Sequence, residues 1–199
     1  MGEKLVISNV GTAEIHIKNM VCDRCIMAVR QIFRKAGIEP LKVELGTVLL
    51  EREPDPGCKE DLRKALADYG FEMIDDRRSR MLERIMTAVI ELVHYSQDAP
   101  GKVSLSEYLS GKCHSDYSAL SKLFSEMKGM SIEKYYIAQR IERVKELLVY
   151  DEMTISEIAD MMGYSSPAHL SAQFKSVTGL SPREFRALKH KPMIPLDKV

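Results

Sequence analysis

The chain has 199 residues, 45% of them hydrophobic and 29% charged, which excludes wholesale disorder. Basic and acidic residues number 29 each, so bulk charge does not indicate a nucleic-acid binder, and any such function has to come from pattern. No stretch reaches the ~18 apolar residues of a membrane span, and the first residues lack the apolar run of a signal peptide. We therefore expect a cytoplasmic protein without a membrane segment.

The first part of the chain predicts strands alternating with helices. Residues 13–18 (AEIHIK) alternate apolar and polar, as a half-buried strand does. Helical spacing of apolar residues follows from Asp23 to Ala36, and Gly37 ends that helix. A hairpin signal around Gly46, a helix at about 58–69 and a short strand FEMI complete the pattern. The order β-α-β-β-α-β predicts a ferredoxin-like domain over residues 1–76.

The charged string DDRRSR then marks a boundary, after which the strand signals cease. We predict a linker at 77–80, an all-helical domain at 81–191 and a C-terminal tail at 192–199. The expected fold class is therefore α+β in two domains.

An internal repeat organises the helical part. Residues 104–131 align with residues 154–181 at a shift of 50 positions and without a gap. Eight aligned pairs are identical, among them Leu120 with Leu170 and Phe124 with Phe174.

Each copy of the repeat predicts a helix-turn-helix motif. Capping boxes, Ser104 with Glu107 and Thr154 with Glu157, would begin the first helices, and Asp116 or Ser166 would cap the second. The buried face of each second helix is predicted to comprise Leu120, Phe124 and Met127, or Leu170, Phe174 and Val177. A long helix at about 132–149 would join the motifs and hold their second helices about one DNA turn apart.

The opposite face of each second helix carries the candidate DNA-binding residues. Hydroxyl, imidazole and ammonium groups there suit base edges or phosphates. The candidates are Tyr117, Ser118, Ser121, Lys122 and Ser125 in the first copy, and Ala168, His169, Ser171, Ala172 and Lys175 in the second.

This half of the chain resembles the DNA-binding domain of the arabinose-regulator (AraC/XylS) family of transcription factors. The resemblance lies in LSKLFSEMKGMSIEKYYIAQRIERVKELL and ISEIADMMGYSSPAHLSAQFKSVTGLSPREFR. It implies sequence-specific binding to double-stranded promoter DNA. Family members often carry arginine at the positions of Lys122 and Ala172, and Ala172 departs from that pattern.

Two cysteines, Cys22 and Cys25, form a CxxC pattern at the start of the first predicted helix. Cu(I) favours thiolates and accepts two of them, whereas Zn²⁺ normally takes four ligands and no third ligand is evident nearby. A redox couple also uses CxxC at a helix start. The spacing alone does not decide between these alternatives, nor does it exclude a cysteine pair that binds no metal.

The residues IHIKNMVCDRC and the later YGFEMI resemble the heavy-metal-associated domain of copper chaperones and copper ATPases. The resemblance implies Cys22 and Cys25 as ligands of Cu(I), or of another soft or divalent metal, with Met20 and Phe71 beside the metal loop. Asn19 stands where the family usually has glycine.

We expect a transcriptional regulator that responds to Cu(I) and is not an enzyme, because no catalytic constellation is evident. Promoter DNA is the expected partner, and a copper chaperone and a second copy of the chain are further candidates. Three alternatives stay open. They are a regulator whose N-terminal domain binds another ligand or a protein, a metal-handling protein whose helical half docks proteins, and a thiol oxidoreductase.

Overall fold

The computed structural model describes residues 12–96 and 104–199. The chain divides into an N-terminal region, residues 1–80, and a C-terminal region, residues 81–199. Each region has its own hydrophobic core. The absence of a signal peptide was predicted from the first residues of the chain, most of which lie outside the described part. The start of the predicted 1–76 domain also lies outside it.

The N-terminal region is a four-stranded antiparallel sheet with two helices. Its elements are β1 (Ala13–Lys18), α1 (Asp23–Lys35), β2 (Lys42–Glu44), β3 (Thr47–Leu50), α2 (Pro56–Ala67) and β4 (Glu72–Ile74). The strand order is β2-β3-β1-β4. Ile15 and Ile17 of β1 are buried in a core with Val29 and Phe33 of α1 and Leu66 of α2. The predicted order of elements is present, since the period-two and period-3.6 patterns each place one apolar face on this core.

The C-terminal region is helical. Its elements are α3 (Arg77–Ile90), whose first four residues precede the region, with a π-helical turn (Glu91–Tyr95), α4 (Leu105–Cys113), α5 (Tyr117–Lys128), α6 (Ile132–Tyr150), α7 (Ile155–Met161), α8 (Pro167–Thr178), α9 (Pro182–Ala187) and a 3₁₀ turn (Leu196–Lys198).

The residues predicted as a linker, 77–80, form the first turn of α3. The carboxylate of Asp76 accepts hydrogen bonds from the backbone N–H groups of Arg78 and Ser79, each at 2.9 Å. These bonds satisfy donors that a helix start otherwise leaves unpaired, so the helix begins inside the charged string.

Helix α6 forms the centre of the C-terminal region and buries polar side chains as well as apolar ones. The ammonium of Lys145 lies 2.6 Å from a carboxylate oxygen of Glu142, and the other Glu142 oxygen accepts the Ile194 N–H at 3.0 Å. Gln139 donates to the carbonyl of Leu196 at 3.0 Å. The predicted tail, 192–199, is therefore hydrogen-bonded to α6.

Several residues with core spacing are not buried. Met127 and Val177, predicted in the apolar faces of α5 and α8, are 38% and 48% exposed. Both lie in the last turn of their helix. Met130 and Met161 are also substantially exposed, whereas Met162 is buried.

Within residues 12–96 and 104–199, no helix is long and apolar enough to cross a membrane.

Candidate nucleic-acid interface and thiol site

The first helix-turn-helix motif consists of α4 and α5, joined by residues 114–116. His114 has a left-handed backbone with φ of 50°. The capping box predicted for Ser104 and Glu107 is wrong, because the Ser104 hydroxyl pairs with that of Ser106 at 2.9 Å and caps no backbone N–H. Asp116 precedes α5 and likewise makes no side-chain cap. Neither helix of this motif therefore begins with a side-chain cap.

The second motif consists of α7 and α8, joined by residues 162–166. Its capping box is confirmed, since the Thr154 hydroxyl accepts the Glu157 N–H at 3.2 Å and Glu157 accepts the Thr154 N–H at 2.7 Å. The hydroxyl of Ser166 accepts the His169 N–H at 3.1 Å and so caps α8. Both helices of this motif begin with a cap.

The candidate DNA-binding residues on α5 differ in availability. Ser118, Lys122 and Ser125 are exposed, and Ser121 is partly buried. Tyr117 donates its hydroxyl to the carboxylate of Glu133 on α6. Burial and then this bond raise the pKa of Tyr117 above its ordinary value. Its hydroxyl is thus engaged within the region.

On α8, Ala168, His169, Ala172 and Lys175 are exposed. The hydroxyl of Ser171 donates to the carbonyl of Pro167 at 2.8 Å, one turn back, which occupies its proton.

His169 is oriented by the loop before α8. Its Nδ1 lies 3.1 Å from the hydroxyl of Ser165, and its ring meets the Tyr164 ring edge-on at 5.5 Å. With Nδ1 engaged, Nε2 is the ring nitrogen left for an external contact.

Helix α6 joins the two motifs and spans about 28 Å over its 19 residues. That length is of the same order as the ~34 Å helical turn of DNA.

Arg140 on α6 packs against the second motif. Its guanidinium is buried, lies 4.0 Å from the centre of the Tyr164 ring and donates to the Met162 carbonyl at 2.7 Å. Arg143 pairs with Glu146 at 2.8 Å. Arg140 therefore serves packing within the region.

The thiol site lies at the start of α1 in the N-terminal region. Cys22 is the N-cap residue and Cys25 is in the first turn, so their sulfur atoms lie 3.4 Å apart, both partly buried. Burial raises the pKa of Cys25, and a hydrogen bond with the Val21 backbone acts in the opposite direction. Among the described residues, no cluster of three or more His, Cys, Asp or Glu side chains could hold a metal ion.

The loop before these cysteines is tied to the loop before β4. Asn19 has a left-handed φ of 70°, a conformation that glycine and asparagine adopt more readily than other residues. Its side-chain amide donates to the carbonyl of Gly70 at 2.8 Å. Met20 and Phe71 are both buried in the N-terminal core, against which Cys25 packs.

The remaining thiols lie elsewhere. Cys58 is in the first turn of α2, where its backbone N–H bonds to the Asp55 side chain at 3.0 Å. Cys113 is buried at the end of α4, and its pKa is raised by that burial. Within the described part of the chain, neither belongs to a metal-ligating group of three.

Comparison with known proteins identifies the C-terminal region. Residues 109–188 match the family model of a helix-turn-helix domain. The chain is 28% identical over 107 residues to the xylose operon regulatory protein of Escherichia coli (strain K12), covering 54% of this chain and 27% of that protein. It is 22% identical over 170 residues to YtdP, an uncharacterized HTH-type transcriptional regulator of Bacillus subtilis (strain 168), covering 83% and 22% respectively.

Among solved structures, the C-terminal domain of AraT, a response regulator from Geobacillus stearothermophilus, aligns with a TM-score of 0.48 and 26% identity. This alignment covers 60% of the present chain and 91% of that domain. The chain itself spans only 22% and 27% of the two curated relatives.

The prediction of a helix-turn-helix domain in the C-terminal part is thus confirmed. Both relatives are named as regulatory proteins.

Sequence reasoning missed two charged side chains close to the second helices of the motifs, α5 and α8. Glu133, which receives the Tyr117 hydroxyl, was not among the candidates, and neither was Arg183 on α9. The repeat contained the signal, because the shift of 50 residues places Glu133 and Arg183 at equivalent positions.

Proposed function

We propose that the protein is a sequence-specific DNA-binding transcriptional regulator that binds Cu(I) through Cys22 and Cys25. The DNA-binding part of this proposal is carried by one observation, the two helix-turn-helix motifs joined by α6. The second helix of each motif has an exposed face. Helices α5 and α8 would lie in successive major-groove segments, as second helices of this motif do.

The two recognition helices present different chemistry to base edges. On α5, Lys122 suits guanine O6 and N7, and the hydroxyls of Ser118 and Ser125 suit several bases. On α8, the methyl groups of Ala168 and Ala172 suit the methyl group of thymine. We therefore propose an operator whose two half-sites differ in sequence.

The donor set at the thiol site fits a soft monovalent metal ion. Two sulfur atoms 3.4 Å apart can contact one ion, and no third ligand group accompanies them among the described residues. Cu(I) tolerates so few ligands, whereas structural Zn²⁺ sites take four. Bound Cu(I) would hold the two sulfurs together and fix the start of α1.

Metal binding at these cysteines would be linked to pH. A metal-bound cysteine is a thiolate, and the raised pKa of Cys25 means that its proton has to be displaced. Affinity for Cu(I) would therefore rise with pH up to the pKa of this thiol.

The loop geometry supports the kinship with heavy-metal-associated domains. Asn19 adopts the left-handed conformation at the position where that family usually has glycine, so the departure in sequence leaves the backbone of the loop intact. We further propose a cytoplasmic location, with a copper chaperone as the metal donor and a second copy of the chain as a partner on DNA.

One alternative is favoured by a specific observation. Because burial raises the pKa of Cys25, this thiol can persist as a neutral, packed side chain. The N-terminal region would then bind another ligand or a protein while the C-terminal region still binds DNA.

Fluorescence anisotropy of labelled DNA from upstream of the protein's own gene tests this function. Binding is measured anaerobically with and without one equivalent of Cu(I), for the wild type, Cys22→Ser/Cys25→Ser and the control Cys58→Ser. We expect Cu(I) to change the wild-type affinity by about 5- to 150-fold, the usual range of coupling between sites. The control should respond as the wild type does, and the double variant should not respond.

Tight, sequence-specific binding that ignores Cu(I) in all three proteins would retain the regulator and remove the metal response. Failure of the wild type to bind any duplex would remove the regulator itself.

A further inference from the structure

A cleft of about 560 Å³ opens in the second helix-turn-helix motif and extends beyond the candidate DNA-binding residues of α8 to α7 and α9. It lies between the start of α7, the first turns of α8 and the start of α9, and its lining includes Ser156, Ala168, Ser171 and Arg183. Since Ala168 and Ser171 belong to α8, an anion in this cleft would sit directly beside the recognition helix.

The two arginines that line the cleft differ in their partners. Arg186 donates to the Met153 carbonyl at 2.6 Å, and its Nε lies 3.1 Å from the carboxylate of Asp151. Arg183 is exposed, and within the described part of the chain it has no hydrogen bond or ion pair. Its positive charge is therefore available to a ligand.

The chemistry of the lining suits a phosphate oxygen. The guanidinium of Arg183 offers several N–H donors in one plane, and the exposed hydroxyl of Ser156 offers another. The carboxylate of Glu184, the nearest acidic neighbour in sequence, is engaged with the backbone N–H of Ser181 at 2.7 Å.

The first motif has the opposite charge at the corresponding place. With the 50-residue shift of the repeat, Glu133 aligns with Arg183, and Tyr117 aligns with Pro167. Glu133 accepts the hydroxyl of Tyr117, and this bond lowers the pKa of the Glu133 carboxyl, which keeps it ionised at neutral pH. A phosphate beside α5 at this position would meet a fixed negative charge.

We infer that the cleft at Arg183 binds a backbone phosphate of duplex DNA, and that the second motif is consequently the tighter anchor of the two. The inference rests on the proposed DNA-binding function. Phosphate contacts fix the register of a recognition helix without reading sequence, so Arg183 is a positioning residue for α8. The first motif lacks this anchor.

Anisotropy titrations of the full chain test the inference at several salt concentrations, with the upstream promoter duplex and an unrelated duplex. The variants are Arg183→Gln and Arg183→Lys. The matched control, Lys35→Gln, removes one exposed positive charge from the N-terminal region. We expect Arg183→Gln to weaken both duplexes by a similar factor, about five- to tenfold, and to reduce the salt slope by about one. Arg183→Lys should retain most of the affinity because it retains the charge.

A complementary variant reduces the charge difference between the two motifs. Glu133→Gln keeps an acceptor for the Tyr117 hydroxyl and removes the negative charge, so binding to both duplexes should tighten by about two- to threefold. The Lys35→Gln control should match the wild type.

If the wild type binds the promoter duplex and Arg183→Gln behaves like Lys35→Gln, the inference is wrong and the regulator stands. A loss confined to the promoter duplex would make Arg183 a base reader and would also overturn it. A wild type that binds neither duplex would overturn the proposed function instead.

Discussion

The two helix-turn-helix motifs bury equivalent side chains. Leu120 and Phe124 in the first motif are 2% and 0% exposed, and Leu170 and Phe174 in the second are both 0% exposed. Each phenylalanine packs against an aromatic ring of the next helix, with ring centres 5.5 Å apart. Phe124 contacts Tyr135 of α6, and Phe174 contacts Phe185 of α9. The repeated hydrophobic pattern therefore produces the same core twice.

The motifs differ where their helices begin and end. The second motif has side-chain caps on both helices and the buried guanidinium of Arg140 beneath its turn. The first motif has neither cap. The left-handed residue of its turn is His114, whereas that of the second turn is a glycine, Gly163. Two motifs with equivalent cores thus differ in the capping and turn contacts of their helices. We expect the local stabilities of the two motifs to differ as well.

The largest expected effect comes from Arg140→Ala. The substitution removes a charge-assisted hydrogen bond to Met162 and the stack on Tyr164, and it leaves a cavity. We expect a loss of ~3 kcal/mol in the stability of the second motif, because a hydrogen bond from a charged group contributes ~1.5–3 kcal/mol and a desolvated cation–π contact up to ~2 kcal/mol.

Hydrogen exchange of the full chain, followed by mass spectrometry, measures this loss separately in peptides from α4–α5 and from α7–α8. Exchange should accelerate by about two orders of magnitude in α7–α8 alone. Arg143→Ala is the matched control, since Arg143 pairs with partly exposed Glu146 and should contribute less than ~1 kcal/mol. Equal acceleration in both motifs would contradict a role specific to the second.

A smaller effect, confined to one motif, is expected from the caps. Thr154→Ala and Ser166→Ala each remove a hydroxyl that accepts a backbone N–H and should cost about 1 kcal/mol. Ser104→Ala and Asp116→Ala at the equivalent positions should change little, because neither side chain caps its helix.

Exchange of the first-turn amides of α7 and α8 should quicken by about fivefold in the Thr154 and Ser166 variants. The same exchange in α4 and α5 should stay at the wild-type rate in the other pair. Equal costs in all four variants would mean that the first motif also depends on its caps.

Much of this arrangement follows from patterns in the sequence. Alternation in residues 13–18 and the spacing of Val29 and Phe33 specify the N-terminal elements, because each pattern has one apolar face to bury. The 50-residue repeat specifies the two motifs and the helix between them. These features depend on the spacing of apolar residues, which is written along the chain.

Polar partnerships were predicted less well, since they depend on which groups the fold brings together. The equivalent pairs Ser104–Glu107 and Thr154–Glu157 do not form equivalent caps. The hydrogen bonds of Asp76 likewise begin a helix at the residues predicted as a linker. The engagement of Tyr117 by Glu133 spans two helices, and only their packing determines it. The proposed roles of Cys22, Cys25 and the base-reading residues stay predictions for the experiments above.

The smallest expected effect tests the turn of the first motif. His114→Gly relieves the left-handed strain of a residue with a Cβ, ~1–2 kcal/mol, and loses part of that gain to the greater flexibility of unfolded glycine. We expect a net stabilisation of about 0.5 kcal/mol, seen as roughly twofold slower exchange in α4–α5 and no change in α7–α8. Ser115→Gly is the control, because Ser115 has no positive φ to relieve, so glycine there should destabilise the motif. If both substitutions destabilise α4–α5 equally, the left-handed backbone of His114 costs the first motif nothing, and its difference from the second motif lies in the caps and Arg140 alone.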